Sequence, residues 1–230
     1  MVQFSNITKY NTIFEPGCRI IYGIHAASGY ILQAAAEIAV KQPLHLLDFG
    51  NRCDMYFVAR QLRYLTHDPV AAMRNIRLQR AFTCYQALAL LRDIDRMEPG
   101  LPVFILDLLA PFLDENIKKN EIMRLFNGSV EQLRCSLRTR LLLIGVKPVP
   151  QKLAPDRVCL VEKLAREFGL IRLEDGSSGS GDSTSGYRLR PASRAFPSGG
   201  SALAKPQRAE LMDGQPTLFD CLPEVSEEQL

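Results

Sequence analysis

The sequence predicts an α/β domain in which helices cover both faces of a mostly parallel sheet, so that the domain has three layers. Over the first 150 residues, short apolar runs alternate with longer amphipathic stretches, a pattern typical of strands joined by crossover helices. The amphipathic stretches are long enough for right-handed crossovers. The composition, 47% apolar and 23% charged over 230 residues, favours one substantial core with an appendage.

Five short apolar segments are predicted as the strands of the core sheet. In chain order they are Cys18–Tyr22, Leu44–Phe49, Ile76–Ala81, Val103–Leu108 and Arg140–Val146. Four longer segments with apolar residues at helical spacing are predicted as the helices between them. These helices are Ile31–Lys41, Met55–Leu65, Cys84–Arg96 and Lys119–Ser136.

A different pattern follows residue 150. Val158–Arg166 is predicted as a strand followed by a turn. Phe168–Leu173 and Gly186–Arg190 are predicted as the two strands of a C-terminal hairpin, with the Ser/Gly run 176–186 as its flexible tip.

The C-terminal part of the chain differs from the core in composition and charge. Residues 191–210 are rich in Pro, Ser, Gly and Ala, which predicts a disordered linker between a core domain (1–190) and a tail (211–230). The first 173 residues contain 23 Lys/Arg and 16 Asp/Glu, whereas residues 174–230 contain 5 and 9. A basic body with an acidic tail is common in proteins that associate with nucleic acid, so DNA is a candidate partner.

Membrane, metal and disulfide chemistry are not expected. No apolar run approaches the roughly 20 residues that span a bilayer, and the N-terminus lacks the pattern of a signal peptide, so we expect a cytoplasmic protein without a membrane partner. The six cysteines stand singly, with no CxxC pair and no neighbouring histidine cluster. Neither a metal site nor a disulfide framework is therefore predicted.

The segment YGIHAASGY, residues 22–30, joins a predicted strand to a predicted helix. A working phosphate loop at such a junction reads G-x-x-x-x-G-K-[ST], because its Lys reaches the β/γ-phosphates and its hydroxyl holds Mg²⁺. Gly23 matches the first glycine, but Ser28, Gly29 and Tyr30 occupy the Gly, Lys and Ser/Thr positions. We therefore predict a degenerate nucleotide-binding site, with neither ATP nor Mg²⁺ as a cofactor.

Three further segments are similar to parts of the RecA/RadA-type recombinases. NIRLQRAFTCYQALALL (75–91) resembles their strand that ends in Arg-Ala-aromatic, together with the helix that follows. PVFILDLLAPFL (102–113) resembles their Walker B strand, with Asp107 at its end, and RLLLIGVKPV (140–149) resembles the strand after the long helix. The resemblance, to RadA-like paralogues or ImuA-type proteins, implies a RecA-like three-layer α/β/α fold.

The resemblance also implies that a second catalytic group, a glutamate, is missing from this sequence. Active members of the family follow their second core strand with an Asp-Thr-Glu-like sequence whose carboxylate orients the attacking water. The corresponding segment LLDFGN keeps Asp48 but has Gly50 at the glutamate position. The resemblance thus implies a pseudo-ATPase without catalytic residues, in which Asp107 either keeps a residual nucleotide role or caps a loop or helix.

The tail contains the peptide GQPTLFD at residues 214–220. Gln215, Leu218 and Phe219 match the Q-x-x-L-F motif by which bacterial polymerases and repair proteins bind the sliding clamp. Leu and Phe can fill an apolar pocket while the Gln amide forms hydrogen bonds at its edge, and a flexible linker provides reach. The alternative is that Leu218 and Phe219 anchor the tail on the core.

Arginines at helical spacing are the candidate DNA contacts, because a planar guanidinium can donate two hydrogen bonds to one phosphate. The candidates are the pairs Arg60/Arg63 and Arg134/Arg138, with a further series at Arg74, Arg77 and Arg80. A solvated basic surface is the alternative for each of them.

These observations favour a non-catalytic RecA/RadA-like accessory protein in DNA repair, recombination or translesion synthesis. Its core would bind a DNA polymerase or recombinase, and its tail would bind the sliding clamp. Two other classes stay open. One is an ATP-binding, DNA-dependent ATPase with an atypical phosphate loop, and the other is a scaffold on a RecA-like fold that has no connection with DNA.

Overall fold

The computed structural model of the chain describes residues 17–149, 157–175 and 187–191. The strands are β1 (Gly17–Tyr22), β2 (Leu44–Asp48), β3 (Ile76–Arg80), β4 (Val103–Leu106), β5 (Leu141–Val146), β6 (Ile171–Asp175) and β7 (Tyr187–Pro191). The helices are α1 (Ser28–Ala39), α2 (Met55–Leu65), α3 (Pro69–Arg74), α4 (Cys84–Asp93), α5 (Lys119–Ser136) and α6 (Val158–Phe168). Short 3-10 turns lie at Ile24–Ala27, Ile94–Arg96 and Ala110–Leu113.

All seven strands belong to one sheet, in the order β3-β2-β4-β5-β1-β6-β7. Strands β1 to β6 are parallel, and β7 pairs antiparallel with β6. Parallel neighbours bring their carboxyl ends to one edge, which is where ligands bind in open α/β sheets. We call this side of the molecule the carboxyl edge.

Side chains along each strand alternate between two apolar layers, as the pleat of a sheet requires. On β4, Phe104 and Leu106 pack with α1, α2 and α3, whereas Val103 and Ile105 pack with α4, α5 and α6. Every residue of β2, β4 and β5 is buried, because helices cover both faces of these central strands. The predicted three-layer fold, with a mostly parallel sheet and a C-terminal hairpin, is confirmed.

Polar side chains set the starts of three helices. Asp54, Asp68 and Thr83 each accept hydrogen bonds from backbone N–H groups two or three residues later, at the first turns of α2, α3 and α4. An N-terminal cap of this kind stabilises a helix by about 1 kcal/mol. Pro69 follows its cap directly, at a position where a missing N–H leaves no hydrogen bond unmade.

The five predicted core strands and the four predicted core helices are confirmed, with ends that differ by a few residues. The bounds of α2 and α5 match the prediction at both ends. Helix α1 begins at Ser28, three residues before its predicted start, and α4 ends at Asp93, where a 3-10 turn takes over.

Three elements differ from the prediction. Val158–Arg166 is not a strand and turn but lies within α6, whose buried residues Leu160, Val161 and Leu164 follow the helical period. Phe168 is the last residue of this helix, so the first hairpin strand begins at Ile171, after Gly169 has ended the helix with a φ of 72°. The short helix α3 was not predicted, although the Asp-Pro pair at its start is a recognised helix signal.

Some predictions lie outside the described residues. They concern the hairpin tip at 176–186, residues 192–210 of the linker predicted at 191–210, and the tail at 211–230. Pro191, the first residue of the predicted linker, is instead the last residue of β7. Among the helices that the structure describes, none combines the length and apolarity that crossing a bilayer requires.

Candidate functional site

A cavity of about 710 Å³ opens at the carboxyl edge, between the turn that follows β1 and the loop that follows β2. Its walls come from Ile24 to Tyr30 on one side and Asn51 to Asp54 on the other, with Leu173 of β6 nearby. The cavity therefore lies where the sequence places the phosphate loop. The site has three parts: the turn after β1, the carboxylate of Asp107 and the loop held by Asp48.

The turn after β1 has an unusual backbone. His25, Ala26 and Ala27 have φ values of 52°, 57° and 54°, so three consecutive residues with side chains are left-handed. Each such residue costs about 1–2 kcal/mol. The turn packs closely on the sheet, since a Cβ on Gly145 of β5 would lie 2.1 Å from the carbonyl oxygen of Ala26. Only glycine at position 145 accommodates this approach.

The four residues matched to the phosphate loop have distinct surroundings. The Gly23 N–H donates to the carbonyl of Val146 (3.1 Å), and a Cβ on Gly23 would lie 3.0 Å from the Cβ of Leu173. Ser28 and Gly29 are the first residues of α1 and line the cavity. Tyr30 is 4% exposed and packs in the apolar layer between α1 and the sheet. The Mg²⁺-holding position is thus filled by a core side chain.

No lysine is among the described residues that line the cavity. Of the described residues that line it, Arg52 is the single Lys or Arg side chain. Gly29, at the lysine position, contributes only backbone atoms. The start of α1 can therefore offer N–H groups to a phosphate but no fixed positive charge of its own.

Asp107 follows β4 and is fully buried, with a φ of 55°. Its Oδ2 lies 3.3 Å from the Nζ of Lys147 and 3.6 Å from the Nε of Arg52. Within the described part of the chain, neither oxygen of Asp107 has a hydrogen-bond partner. The carboxylate is therefore held by charge attraction to two protein cations, whose side chains are 29% and 34% exposed.

Gly50 and Asp107 are in tight contact. A Cβ on Gly50 would lie 2.5 Å from the Cβ of Asp107 and 2.7 Å from its Oδ2. Real Cβ atoms do not approach other atoms so closely, so position 50 has no room for a side chain while Asp107 keeps its place. The glutamate that the family resemblance implies at this position could not be accommodated in this arrangement.

Asp48, at the end of β2, is also buried but is well supplied with partners. Its Oδ1 accepts a hydrogen bond from the backbone N–H of Arg52 (2.8 Å), and its Oδ2 accepts one from Cys53 (3.2 Å). The Nε of Arg80 lies 3.3 Å from Oδ2. Asp48 therefore organises the loop after β2 by bonding its backbone, which is a structural role.

The Cys53 thiol lines the cavity but is not a reactive group. Burial, followed in size by the nearby Asp48 carboxylate, raises the pKa of Cys53 to about 11. The thiol is therefore protonated near neutral pH, whereas nucleophilic attack and metal binding require the thiolate.

The described residues contain no group of three or more His, Cys, Asp or Glu side chains that could hold a metal ion.

The two arginine pairs predicted as DNA contacts lie on two separate surfaces. Arg60 and Arg63 are exposed on α2, which packs on one face of the sheet, whereas Arg134 and Arg138 lie in and just after α5, which packs on the other. Arg134 pairs with Glu131 (3.2 Å) and with Glu167 of α6. The structure therefore does not bring the four arginines together.

Arg52 and Lys147 are the site residues that the sequence did not reveal. Each follows a strand, and strands β2 and β5 both lie beside β4. Polar residues that follow neighbouring parallel strands meet at the carboxyl edge. The basic residues that follow β2 and β5 are visible in the sequence. Predicting that they meet Asp107 required the knowledge that both strands lie beside β4.

The clamp-binding prediction lies outside the residues that the structure describes, because Gln215, Leu218 and Phe219 belong to the tail. Their role stays a prediction. In comparisons with other proteins, no model of a known protein family matches the chain, and no curated protein matches it.

Proposed function

We propose that this chain is a non-catalytic accessory protein of DNA repair, recombination or translesion synthesis. In this proposal the RecA-like core is a pseudo-ATPase that binds a DNA polymerase or recombinase. The tail binds the sliding clamp through Gln215, Leu218 and Phe219. The core would thereby be brought to sites of DNA synthesis.

The surroundings of Asp107 are the observation that carries the non-catalytic part of the proposal. In a working site, an acidic residue at this strand end serves bound Mg²⁺ and nucleotide. Here Lys147 and Arg52 pair with the Asp107 carboxylate, and the carboxylate leaves no space for a side chain on Gly50. The protein's own cations thus neutralise the charge that would otherwise attract a metal ion.

The tail sequence supports recruitment to the clamp. Leu218 and Phe219 form an apolar pair three residues after Gln215, at the spacing of the Q-x-x-L-F motif. Pro216 restricts the backbone within the motif, which reduces the entropy lost when the peptide becomes ordered on binding.

Calorimetry of the full chain with a bacterial sliding clamp tests this recruitment. We expect micromolar affinity, about −8 kcal/mol, that is abolished by Leu218→Ala/Phe219→Ala. The matched control is Leu211→Ala/Met212→Ala, which removes an apolar pair from the same tail but outside the motif. Clamp affinity that is equal in the two double variants would contradict the proposal, as would no binding at tens of micromolar.

Thermal unfolding with and without Mg²⁺-ATP tests the non-catalytic part. A ligand present at 100 times its Kd stabilises a protein by about 2.7 kcal/mol. Because about 1 kcal/mol shifts the Tm of a domain of this size by roughly 2–4 °C, true binding would raise Tm by several degrees. We expect no shift. A clear rise in Tm would instead favour the ATP-binding alternative, whatever the result with the clamp.

A further inference from the structure

The outward face of α2 presents two tyrosines and two arginines together. Tyr56, Arg60, Arg63 and Tyr64 are spaced at i, i+4, i+7 and i+8, so they fall within an arc of about 100° on the helix surface. The opposite face buries Val58 and Leu62 in the core. We call these four exposed residues the α2 face.

The two tyrosines of the α2 face are among the most exposed large side chains that the structure describes. Tyr56 is 92% exposed and Tyr64 is 79% exposed. They are separated by about 12 Å along the helix axis. Aromatic rings held on a rigid helix with both sides open to solvent are suited to stacking against another planar group.

The positive charge of this surface is not neutralised by the protein. Among the described residues, Arg60, Arg63 and Arg74 have no carboxylate partner, whereas Arg77, Arg96, Arg124 and Arg134 each pair with Asp or Glu. The acids nearest in sequence, Asp54 and Asp68, accept hydrogen bonds from the backbone at the starts of α2 and α3.

A ring contact on α2 and a groove between α2 and α3 extend the surface formed by the α2 face. The guanidinium of Arg60 lies 5.7 Å from the centre of the Phe57 ring, which keeps it close to the helix. A groove of about 320 Å³ between α2 and α3 is lined by Arg63 and Arg74 together with Ala59, Pro69, Val70 and Met73. Arg63 thus belongs to both the α2 face and this groove.

We propose that the α2 face binds single-stranded nucleic acid. Bases would stack on Tyr56 and Tyr64, and phosphates would be contacted by Arg60 and Arg63 and, in the adjoining groove, by Arg74. A single strand is favoured over a duplex because only unpaired bases expose their faces for stacking on side chains. Tyr and Arg are also enriched at protein interfaces, but three arginines without a carboxylate partner among the described residues favour a polyanion over a protein partner.

This inference goes beyond the proposed function, because it uses residues of α2 and α3 and neither the tail motif nor the carboxyl-edge site. The test is fluorescence anisotropy of the full chain with a labelled oligothymidine of about 20 nucleotides, longer than most single-domain binding sites. We expect saturable binding that Tyr56→Ala/Tyr64→Ala weakens at least tenfold. Tyr56→Phe/Tyr64→Phe keeps the rings and should bind as the unmodified chain does.

The salt dependence of binding tests the arginines. Three phosphate contacts on a single strand predict that affinity falls about 20-fold between about 50 and 200 mM salt. Arg60→Ala/Arg63→Ala should weaken binding at low salt and remove most of this dependence. Arg96→Ala/Arg124→Ala is the matched control, because both arginines are exposed, both pair with a carboxylate and neither lies in α2 or α3. It should leave both affinity and salt dependence unchanged.

Several outcomes would overturn the proposal. They are no binding of the oligothymidine at low salt, equal affinity for the alanine and phenylalanine pairs, and an equal effect of the two arginine pairs. Thermal unfolding of each variant verifies the fold, which these exposed substitutions should preserve. Clamp binding by the α2 variants should be unchanged, so this proposal and the proposed function can fail separately.

Discussion

Asp48 and Asp107 are both buried aspartates at the carboxyl edge, one after β2 and the other after β4, but their carboxylates are held in different ways. Asp48 accepts two backbone hydrogen bonds and pairs with Arg80. Asp107 has a left-handed backbone and pairs with Lys147 and Arg52, without a hydrogen bond to either oxygen among the described residues.

The difference separates a carboxylate that holds a loop through hydrogen bonds from one that is held only by attraction to nearby cations. A buried carboxylate that accepts backbone N–H groups holds a loop in place, and its removal leaves those donors unsatisfied. Removing a carboxylate that is held only by partly exposed cations should lower the free energy of unfolding less, because those cations can then be hydrated by solvent. We therefore expect the two positions to respond unequally to the same kind of substitution.

The largest expected effect is that of Asp48→Ala. It removes the acceptor of two backbone N–H groups and a partner of Arg80, so the free energy of unfolding should fall by about 3 kcal/mol, as measured by urea unfolding. Asp68→Ala is the control, because Asp68 is an exposed aspartate that caps α3, and its loss should cost about 1 kcal/mol. Equal losses in the two variants would contradict the structural role of Asp48.

Gly50→Ala should have the next largest effect, a loss of about 2 kcal/mol, because its new Cβ would collide with Asp107. The variant Asp107→Gly lacks the colliding atoms, so a double-mutant cycle should show a coupling of at least 1 kcal/mol between the two changes. Gly128→Ala is the control: its Cβ would lie 3.4 Å from Leu88 inside α5, where alanine is the better helix former. An uncoupled cycle would show that the Gly50–Asp107 contact does not limit position 50.

The smallest expected effect is that of Asp107→Asn. Asparagine tolerates the left-handed backbone, and Lys147 and Arg52 are each about a third exposed, so the loss of charge should lower the free energy of unfolding by about 1 kcal/mol. Urea unfolding of Asp107→Asn and of Asp48→Asn compares the loss of stability caused by the same substitution at the two positions. A loss for Asp107→Asn that equals or exceeds that for Asp48→Asn would reverse our assignment of roles.

The elements that were predicted well are those whose signals are local. A short apolar run predicts β4, and apolar residues at helical spacing predict α2 and α5, so each signal depends on residues a few positions apart in the chain. Val158–Arg166 was misassigned because its apolar residues were taken as a short strand, although the positions buried in α6 are spaced three and four apart.

The candidate site was predicted only in part, because some of its residues are far apart in the chain. Gly23, Ser28, Gly29 and Tyr30 could be placed at one turn because they are adjacent in the chain. Lys147 lies 40 residues after Asp107, and nothing in local spacing indicates that they meet. Local spacing also did not indicate that Arg134 pairs with Glu167 of another helix, whereas Arg60 and Arg63 have no carboxylate partner among the described residues.

The sequence by itself determined the α/β class, the starts of α2, α4 and α5 and the absence of a lysine at position 29, because each follows from residue identity and short-range periodicity. Only the tertiary structure decided which charges meet at the carboxyl edge, why position 50 must be glycine and which of the described arginines face solvent without a carboxylate partner. The physical reason is that these contacts depend on the order of strands in the sheet and on the direction of side chains from separate elements. Local spacing along the chain specifies neither.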